Sequence, residues 1–210
     1  MKRQRVVITG LGVFSGIGQT VPAFSDALQS GASGIAPLDL FDVSPFPSRI
    51  ACQVKGYDPQ DHFDRSAVRK LSRADQFAVI AAGEALRDSC VSGCYSAYES
   101  GVSMGAGAAG MFQAEQWLKG NLSGQAAPPD LLRGVLPDST TTVLAQTFGL
   151  AGFQGTVTTA CSSSATAIGW GADLVATGRQ KMVLAGGSDA LSLLTFAGFN
   201  ALRVVDPDPC

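Results

Sequence analysis

Histidine is nearly absent from this 210-residue chain: His62 is the single example, and tryptophan is confined to Trp117 and Trp170. One imidazole cannot build a histidine-rich metal centre, and the cysteines do not make up the deficit. Cys90 and Cys94 lie four apart, but no second ligand pair accompanies them, so a zinc site is not expected. The five cysteines (Cys52, Cys90, Cys94, Cys161 and Cys210) form an odd set without secretory context, which argues against a disulfide framework. No uninterrupted apolar run reaches membrane-spanning length, and the start Met1-Lys2-Arg3-Gln4-Arg5 leads into a short glycine-punctuated segment instead of a signal-peptide core. The expected location is therefore cytoplasmic. A formal net charge of −2, with no basic block and no aromatic-basic interleaving, points away from nucleic acid and membrane surfaces as partners. No fixed-period repeat is visible, which excludes a solenoid. What remains is ordinary globular material, 46% hydrophobic and long enough for one substantial domain.

Strand-like and helical runs alternate, the pattern of an α/β protein with a largely parallel sheet. Arg5 to Gly12 reads as a first strand ending in glycines. Thr20 to Gln29 carries Val21, Phe24 and Leu28 at helical spacing, with Gly31 as a stop, and the region from Ser30 to Asp64 is loop-rich. Ser66 to Cys90 predicts one long helix, with Val68, Leu71, Ala74, Phe77, Ala78, Ala81, Ala82 and Leu86 on one face and Arg65, Arg69, Lys70 and Arg73 loading its start. Gly101 to Gly107 predicts a second strand followed by a helix through Trp117. Ser139 to Phe148 predicts another helix, Gly155 to Ala160 a third strand, and Lys181 to Gly187 a fourth.

The segment Thr159-Ala160-Cys161-Ser162-Ser163-Ser164 sets a cysteine between a β-branched run and the small-residue pattern of Ala165 to Ala176, which suits a buried helix. A cysteine at a helix N-terminus meets unpaired N–H groups and the positive end of the helix dipole, both of which stabilise the thiolate that attacks electrophiles. An inert, buried cysteine is the bland alternative. Two glycine-rich turns invite a nucleotide-binding reading. Gly105-Ala106-Gly107-Ala108-Ala109-Gly110 matches G-x-G-x-x-G between strand and helix, but the acidic ribose partner expected about twenty residues on is represented only by Asp130, after a Pro-Pro loop. Thr9-Gly10 with Gly16-Ile17-Gly18 has the wrong spacing for a short-chain dehydrogenase, and no Tyr-x-x-x-Lys occurs. Close helix-sheet packing explains these glycines more simply.

With these residues laid out, the chain resembles a β-ketoacyl-[acyl carrier protein] synthase of the condensing-enzyme, thiolase-fold family, of the synthase II type. Arg5 to Val13 matches the family's opening strand, Arg69-Lys70-Leu71-Ser72-Arg73 its basic helix and Thr159 to Ser164 its nucleophile motif. Lys181 to Asp189 matches its fourth strand and Gly-Gly turn, and Phe196 to Arg203 the segment that follows. The resemblance runs nearly end to end and implies an acyltransferase that forms carbon–carbon bonds. Cys161 matches the cysteine that takes an acyl group from carrier protein as a thioester, its backbone N–H contributing to the oxyanion hole; a malonyl-carrier then loses carbon dioxide and the carbanion attacks the acyl-enzyme. Phe199 matches a gating phenylalanine, and Ala108, Met111 and Phe112 fall where family members line the acyl pocket. Arg65, Arg69 and Lys70 resemble the basic patch that meets acidic acyl carrier protein, although a solvated helix face is the ordinary explanation. No cofactor and no metal are implied. Family members are homodimers built around the strand before the nucleophile, which puts Thr156 to Thr159 near such an interface.

Two departures matter. Condensing enzymes use a pair of later histidines, and usually a lysine, to assist decarboxylation; His62 sits in a loop before the basic helix and matches neither. The chain also stops at Asp206-Pro207-Asp208-Pro209-Cys210, where the family continues. The expectation is therefore an incomplete N-terminal synthase domain over 1–210: an α/β, thiolase-like first half-domain with a mostly parallel mixed sheet of four strands and helices on both faces. It would lack its last strand and the second half-domain, leaving an apolar helix face that favours aggregation or association with a complementing C-terminal half. Three readings follow: the nucleophile-bearing part of a synthase, a non-catalytic module that binds carrier protein or dimerises, and a dinucleotide-binding oxidoreductase, the last disfavoured by its missing partners. Acyl chain length and pathway, whether fatty acid, polyketide or aryl polyene, lie beyond these motifs.

Overall fold

Six residues, Ser100–Gly105, are buried without exception and organise the rest of the fold. In this computed structural model, which describes residues 4–91 and 93–207, they form strand β3 at the centre of a three-stranded parallel sheet of order β4-β3-β5, with β4 spanning Gln154–Val157 and β5 Met182–Gly187. Alternation along β3 assigns its two faces. Val102 and Met104 join Ala78, Ala82, Leu144 and Ala145 in the main apolar core, supplied by helices α3 (Arg73–Ser89) and α5 (Ser139–Phe148). Ser103 points the other way and donates to the carbonyl of Ala167 at 2.8 Å on helix α6 (Ser163–Ala176). That second face is built from small residues. A Cβ on Gly105 would strike the α6 backbone at Ser163 and Ser164, and one on Gly187 would crowd Ser164. Helices therefore cover both faces, as expected, and the close approach of α6 depends on these glycines.

The remaining elements are helix α1 (Val21–Gln29), a short antiparallel pair β1 (Ile35–Pro37) and β2 (Ile50–Cys52), and helices α2 (Arg65–Lys70), α4 (Met111–Leu122) and α7 (Leu193–Ala201). The antiparallel strand pair β1–β2 thus lies inside the region expected to be loop, an isolated antiparallel bridge joins Ser15 and Gly18, and the main sheet is wholly parallel. Cys210 and the other terminal residues 1–3 and 208–209 lie outside the described residues.

Two sequence expectations are corrected. The long helix predicted over 66–90 is broken: Leu71 is extended (φ −91°, ψ 131°), and Ser72 caps a new helix by accepting from Asp75 N–H at 3.1 Å while the Asp75 carboxylate accepts from Ser72 N–H at 2.9 Å. The capping box S-x-x-D was present in the sequence but was masked by the uninterrupted apolar periodicity. Asp75, 1% exposed, also accepts from Ser139 Oγ at 3.1 Å and Thr140 Oγ1 at 2.8 Å, so the cap fastens α3 to the start of α5.

The strand predicted over 5–12 does not form. A strand needs a partner ladder, and this segment is separated from β5 by a cleft of about 650 Å³, lined by 4–12 on one side and 182–187 on the other. The segment is held by its neighbours instead: Leu11 N–H donates to Asp88 at 2.9 Å, and Glu84 accepts from Val13 N–H at 3.0 Å and Val21 N–H at 2.7 Å. Val7 and Ile8 are left 64% and 79% exposed. The sheet accordingly has three strands, not four. The unburied helix face is present, with Ile168 and Trp170 of α6 both exposed.

Arg73, among the cations expected to load the helix start, lays its guanidinium over the rings of Tyr57 and Phe77, at 5.3 and 5.0 Å from their centroids. Burial pushes its pKa down, and burial likewise pushes the Tyr57 phenol up to about 12. Tyr57 donates to Gln76 Oε1 at 2.7 Å.

Removing the cap hydroxyl with Ser72→Ala should cost about 1 kcal/mol in urea unfolding. Asp75→Ala, which strands three donors, two of them buried, should cost roughly 3 kcal/mol; equal losses would rule out the joint role of Asp75. Because the folded state favours neutral Tyr57, its contribution to stability is complete below the free phenol value of 10.0 and fades as pH rises toward about 12. Unfolding measured across that window should show this alkaline loss, and Tyr57→Phe should flatten it.

Candidate active site

In an open parallel sheet, functional groups gather where the strands' carboxyl ends release their loops. The register aligns Gly105 of β3 with Val157 of β4 and Gly187 of β5, so the segments 106–110, 158–162 and 188–192 emerge side by side. Ala106 N–H still donates to Val157 O at 3.0 Å as the chains leave the sheet.

Cys161 sits in the middle segment. The chain leaves β4 at Val157, and Ala160 takes a left-handed conformation (φ 53°) before a single 3-10 turn, Ala160–Ser162, leads into α6. For a residue with a Cβ that conformation costs about 1 kcal/mol, and local hydrogen bonds hold it. Ser163 is buried, and its hydroxyl accepts from Thr159 N–H at 2.9 Å and lies 2.7 Å from the Ala160 carbonyl. Ser162 Oγ donates back to Thr159 O at 2.9 Å, and Thr166 Oγ1 to Ser162 O at 2.9 Å. The result is a sharp, pinned elbow that carries an exposed Cys161 thiol. The Cys161 N–H has no hydrogen-bond partner among the described residues, and so is free to donate to an oxyanion formed at a carbonyl attacked by Sγ. The cysteine lies inside the turn, one residue further from α6 than a helix cap.

The glycine-rich segment 105–110 is not an open phosphate cradle. The Asp189 carboxylate already fills it, accepting from Gly107 N–H (3.2 Å to each oxygen), Ala108 N–H (2.7 Å) and Ala109 N–H (2.9 Å), with Ala109 left-handed at φ 44°. This removes the structural basis of the dinucleotide reading. Ala108, and Met111 and Phe112 at the start of α4, are half-buried.

Phe199 lies on α7, which packs against α4, and is 45% exposed. Its helix neighbour Phe196 is buried between Phe41 and Phe46, at 5.8 and 5.5 Å. Neither the 650 Å³ cleft nor a second cavity of about 240 Å³ beside Arg73 is lined by Cys161, Ala108, Met111, Phe112 or Phe199. Cys161, Ala108, Met111 and Phe112 thus lie on or just beyond the segments that leave the carboxyl end of the sheet, Phe199 lies on the helix that packs against α4, and neither of these cavities includes them.

Arg65, Arg69 and Lys70 are all exposed on the short helix α2, which Asp64 caps by accepting from Ser66 and Ala67 N–H at 2.8 Å each. His62, also exposed, stacks on Tyr57 at 5.8 Å between centroids and is a surface residue, as expected. Sequence reasoning missed Ser163, Asp189 and Glu115 as shapers of the site. Ser163 carries no signal beyond its place in the motif; Asp189 follows the Gly-Gly turn, but its partners are some eighty residues away.

Comparison with known proteins agrees with this architecture. Residues 3–210 match the family model described as beta-ketoacyl synthase, N-terminal domain. A putative polyketide beta-ketoacyl synthase 1 of Streptomyces cyaneus is 33% identical over 216 residues, covering 98% of this chain and 51% of that protein. The 3-oxoacyl-[acyl-carrier-protein] synthase 2 of Coxiella burnetii is 32% identical over 213 residues, covering 98% and 50%. Among solved structures, the ishigamide ketosynthase/chain length factor superposes with a TM-score of 0.85 at 30% identity, covering 98% of this chain and 52% of that one. A beta-ketoacyl synthase from Burkholderia phymatum STM815 gives 0.82 at 27% identity, covering 99% and 52%. The chain therefore spans about half the length of the relatives it matches. With its parallel sheet, its two covering helix layers and its cysteine elbow, it belongs to the beta-ketoacyl synthase family and corresponds to that family's thiolase-like N-terminal domain.

Proposed function

We propose that this chain is the nucleophile-bearing portion of a 3-oxoacyl-[acyl carrier protein] synthase, acting in fatty acid or polyketide synthesis, with Cys161 as the acyl acceptor. The observation that carries this reading is the elbow: an exposed thiol beside an unpartnered N–H on a backbone fixed by Ser163. In the first half-reaction Cys161 Sγ attacks the thioester carbonyl of an acyl-carrier. The Cys161 N–H donates to the developing oxyanion, the carrier thiol leaves with the proton, and an acyl-cysteine remains. Condensation would follow when a malonyl-carrier loses carbon dioxide and its carbanion displaces Cys161 from the acyl group. Nothing in this chain serves that second step, because its single histidine is His62, stacked on Tyr57. A complementing C-terminal half, in cis or in trans, would supply it; a homodimer partner, carrying the same single histidine, would not. The ordered geometry at 106–112 and 193–201 favours Ala108, Met111, Phe112 and Phe199 as walls of the acyl site once that half closes over them.

The carrier protein is acidic in this reading and meets the exposed cations Arg65, Arg69 and Lys70 on α2. Among the described residues no helix is long and apolar enough to cross a membrane; the synthase reading itself places the enzyme in the cytoplasm. One other reading, a catalytically incomplete module that binds carrier protein or dimerises with a complete relative, draws on the exposed cations of α2 and the bare apolar face of α6.

Incubation with an acyl-carrier and intact-mass analysis should show a single acyl addition mapped to Cys161 and abolished by Cys161→Ala. Carrier binding without any acyl transfer would instead establish the non-catalytic module. Reversing the basic face with Arg69→Glu and Lys70→Glu should slow transfer from the carrier roughly tenfold through lost steering, with little change for a small acyl thioester. Equal slowing with both donors would remove α2 as the docking face.

A further inference from the structure

Helix α4 and helix α7 exchange carboxylates. Asp189, on the segment that leads from β5 to α7, reaches back to the turn before α4 and collects the N–H groups of Gly107, Ala108 and Ala109. Glu115, one turn into α4, reaches forward to the start of α7 and accepts from Leu193 N–H at 3.0 Å and Leu194 N–H at 2.6 Å. Each carboxylate therefore sits at the N-terminal end of the other element's helix, where unpaired donors and the helix dipole favour negative charge. Hydrogen bonds of this kind, from backbone donors to an ionised acceptor, are among the stronger ones available to a protein.

The surroundings leave little freedom to either partner. A Cβ on Gly107 would come within 2.8 Å of Asp189 Oδ2, so a larger residue there would push the carboxylate aside. Ser188 Oγ donates to Ala74 O at 2.7 Å and anchors the same segment to α3. Ser192, fully buried, caps α7 with its hydroxyl facing Thr195. On its far side α7 is clamped by the rings around Phe196, and Asn200 Oδ1 accepts from Ser48 N–H at 3.0 Å. The two bridges are thus the polar connections between the element bearing Ala108, Met111 and Phe112 and the element bearing Phe199.

We infer that Asp189 and Glu115 are positioning residues that lock the 107–112 wall to the Phe199 helix and thereby set the acyl chain length accepted at Cys161. This rests on the reading of Cys161 as acyl acceptor. Neither carboxylate touches the acyl group; each acts through the backbone it holds. Because the bridges run in opposite directions between the same two elements, loosening one releases the donors held by the other.

The test uses the whole chain and the variants Asp189→Ala, which removes the oxygen that accepts from all three N–H groups, and Glu115→Gln, which replaces one of two accepting oxygens with an NH2 that cannot accept. Hydrogen-deuterium exchange should rise roughly tenfold at both 107–112 and 193–199 in either variant, with exchange over α5 unchanged as the sign that the core stays folded. Competition among carriers loaded with short, medium and long saturated acyl chains should show the wild-type preference broadened by about the same factor. Faster exchange confined to the 107–112 side in Asp189→Ala and to the 193–199 side in Glu115→Gln would overturn the reciprocal lock. Wild-type acylation with the same chain-length profile in both variants would overturn the specificity role alone. A wild-type protein that accepts no acyl group from any carrier would instead sink the underlying assignment of Cys161, and the chain-length role with it, while the exchange result would still decide whether the lock exists.

Discussion

The approach of helix α6 to the sheet is the constraint on which the other features depend. It is possible because the sheet face beneath α6 carries glycine, serine or alanine at most positions, and because Gly171 on α6 itself leaves room for Val183 and Ala185. With larger residues at Gly105 or Gly187 the helix would have to lift, and the tight turn that joins β4 to α6 would open. The left-handed Ala160 and the pinned Ser163 are local expressions of that global closeness: the chain has only a few residues in which to leave the sheet and return over it. A cysteine placed in that turn is exposed by geometry and not by loop length.

The opposite face obeys a different logic. There Val102 and Met104 meet Ala78, Ala82 and Leu144 in a conventional apolar core, and the polar anchor is a single buried carboxylate. Asp75 serves as helix cap and inter-helix clasp at once, which is why a short, charged break interrupts what the apolar pattern presents as one helix. The same economy recurs at the functional edge, where Asp189 and Glu115 satisfy donors at turn and helix starts that belong to other elements. Carboxylates placed in this way fix relative positions of elements more sharply than apolar contacts do, because both distance and direction are specified.

The wide cleft between 4–12 and β5, the bare face of α6 and the exposed residues near Phe199 share one cause. Each is an apolar or hydrogen-bonding surface whose complement is not among the described residues. The relatives that this chain matches are about twice its length, and in the reading proposed above these surfaces are where a complementing half would pack.

Sequence alone determined much of this. Helices over 21–29 and 139–148, the strands around β3 and β5, and the cysteine motif were legible because local propensity and burial agree there. The strand over 5–12 was misread because its residues are β-branched, whereas a strand is a property of a pair, and no partner lies within bonding reach. The break at Leu71 was missed because apolar periodicity outweighed a four-residue cap signal. Tertiary structure alone decided that the G-x-G-x-x-G turn holds a carboxylate from the chain itself, that Phe196 is buried while Phe199 is left exposed, and that Arg73 lies against aromatic rings. These are contacts between residues far apart in sequence, and no local pattern encodes which distant group will fill a turn.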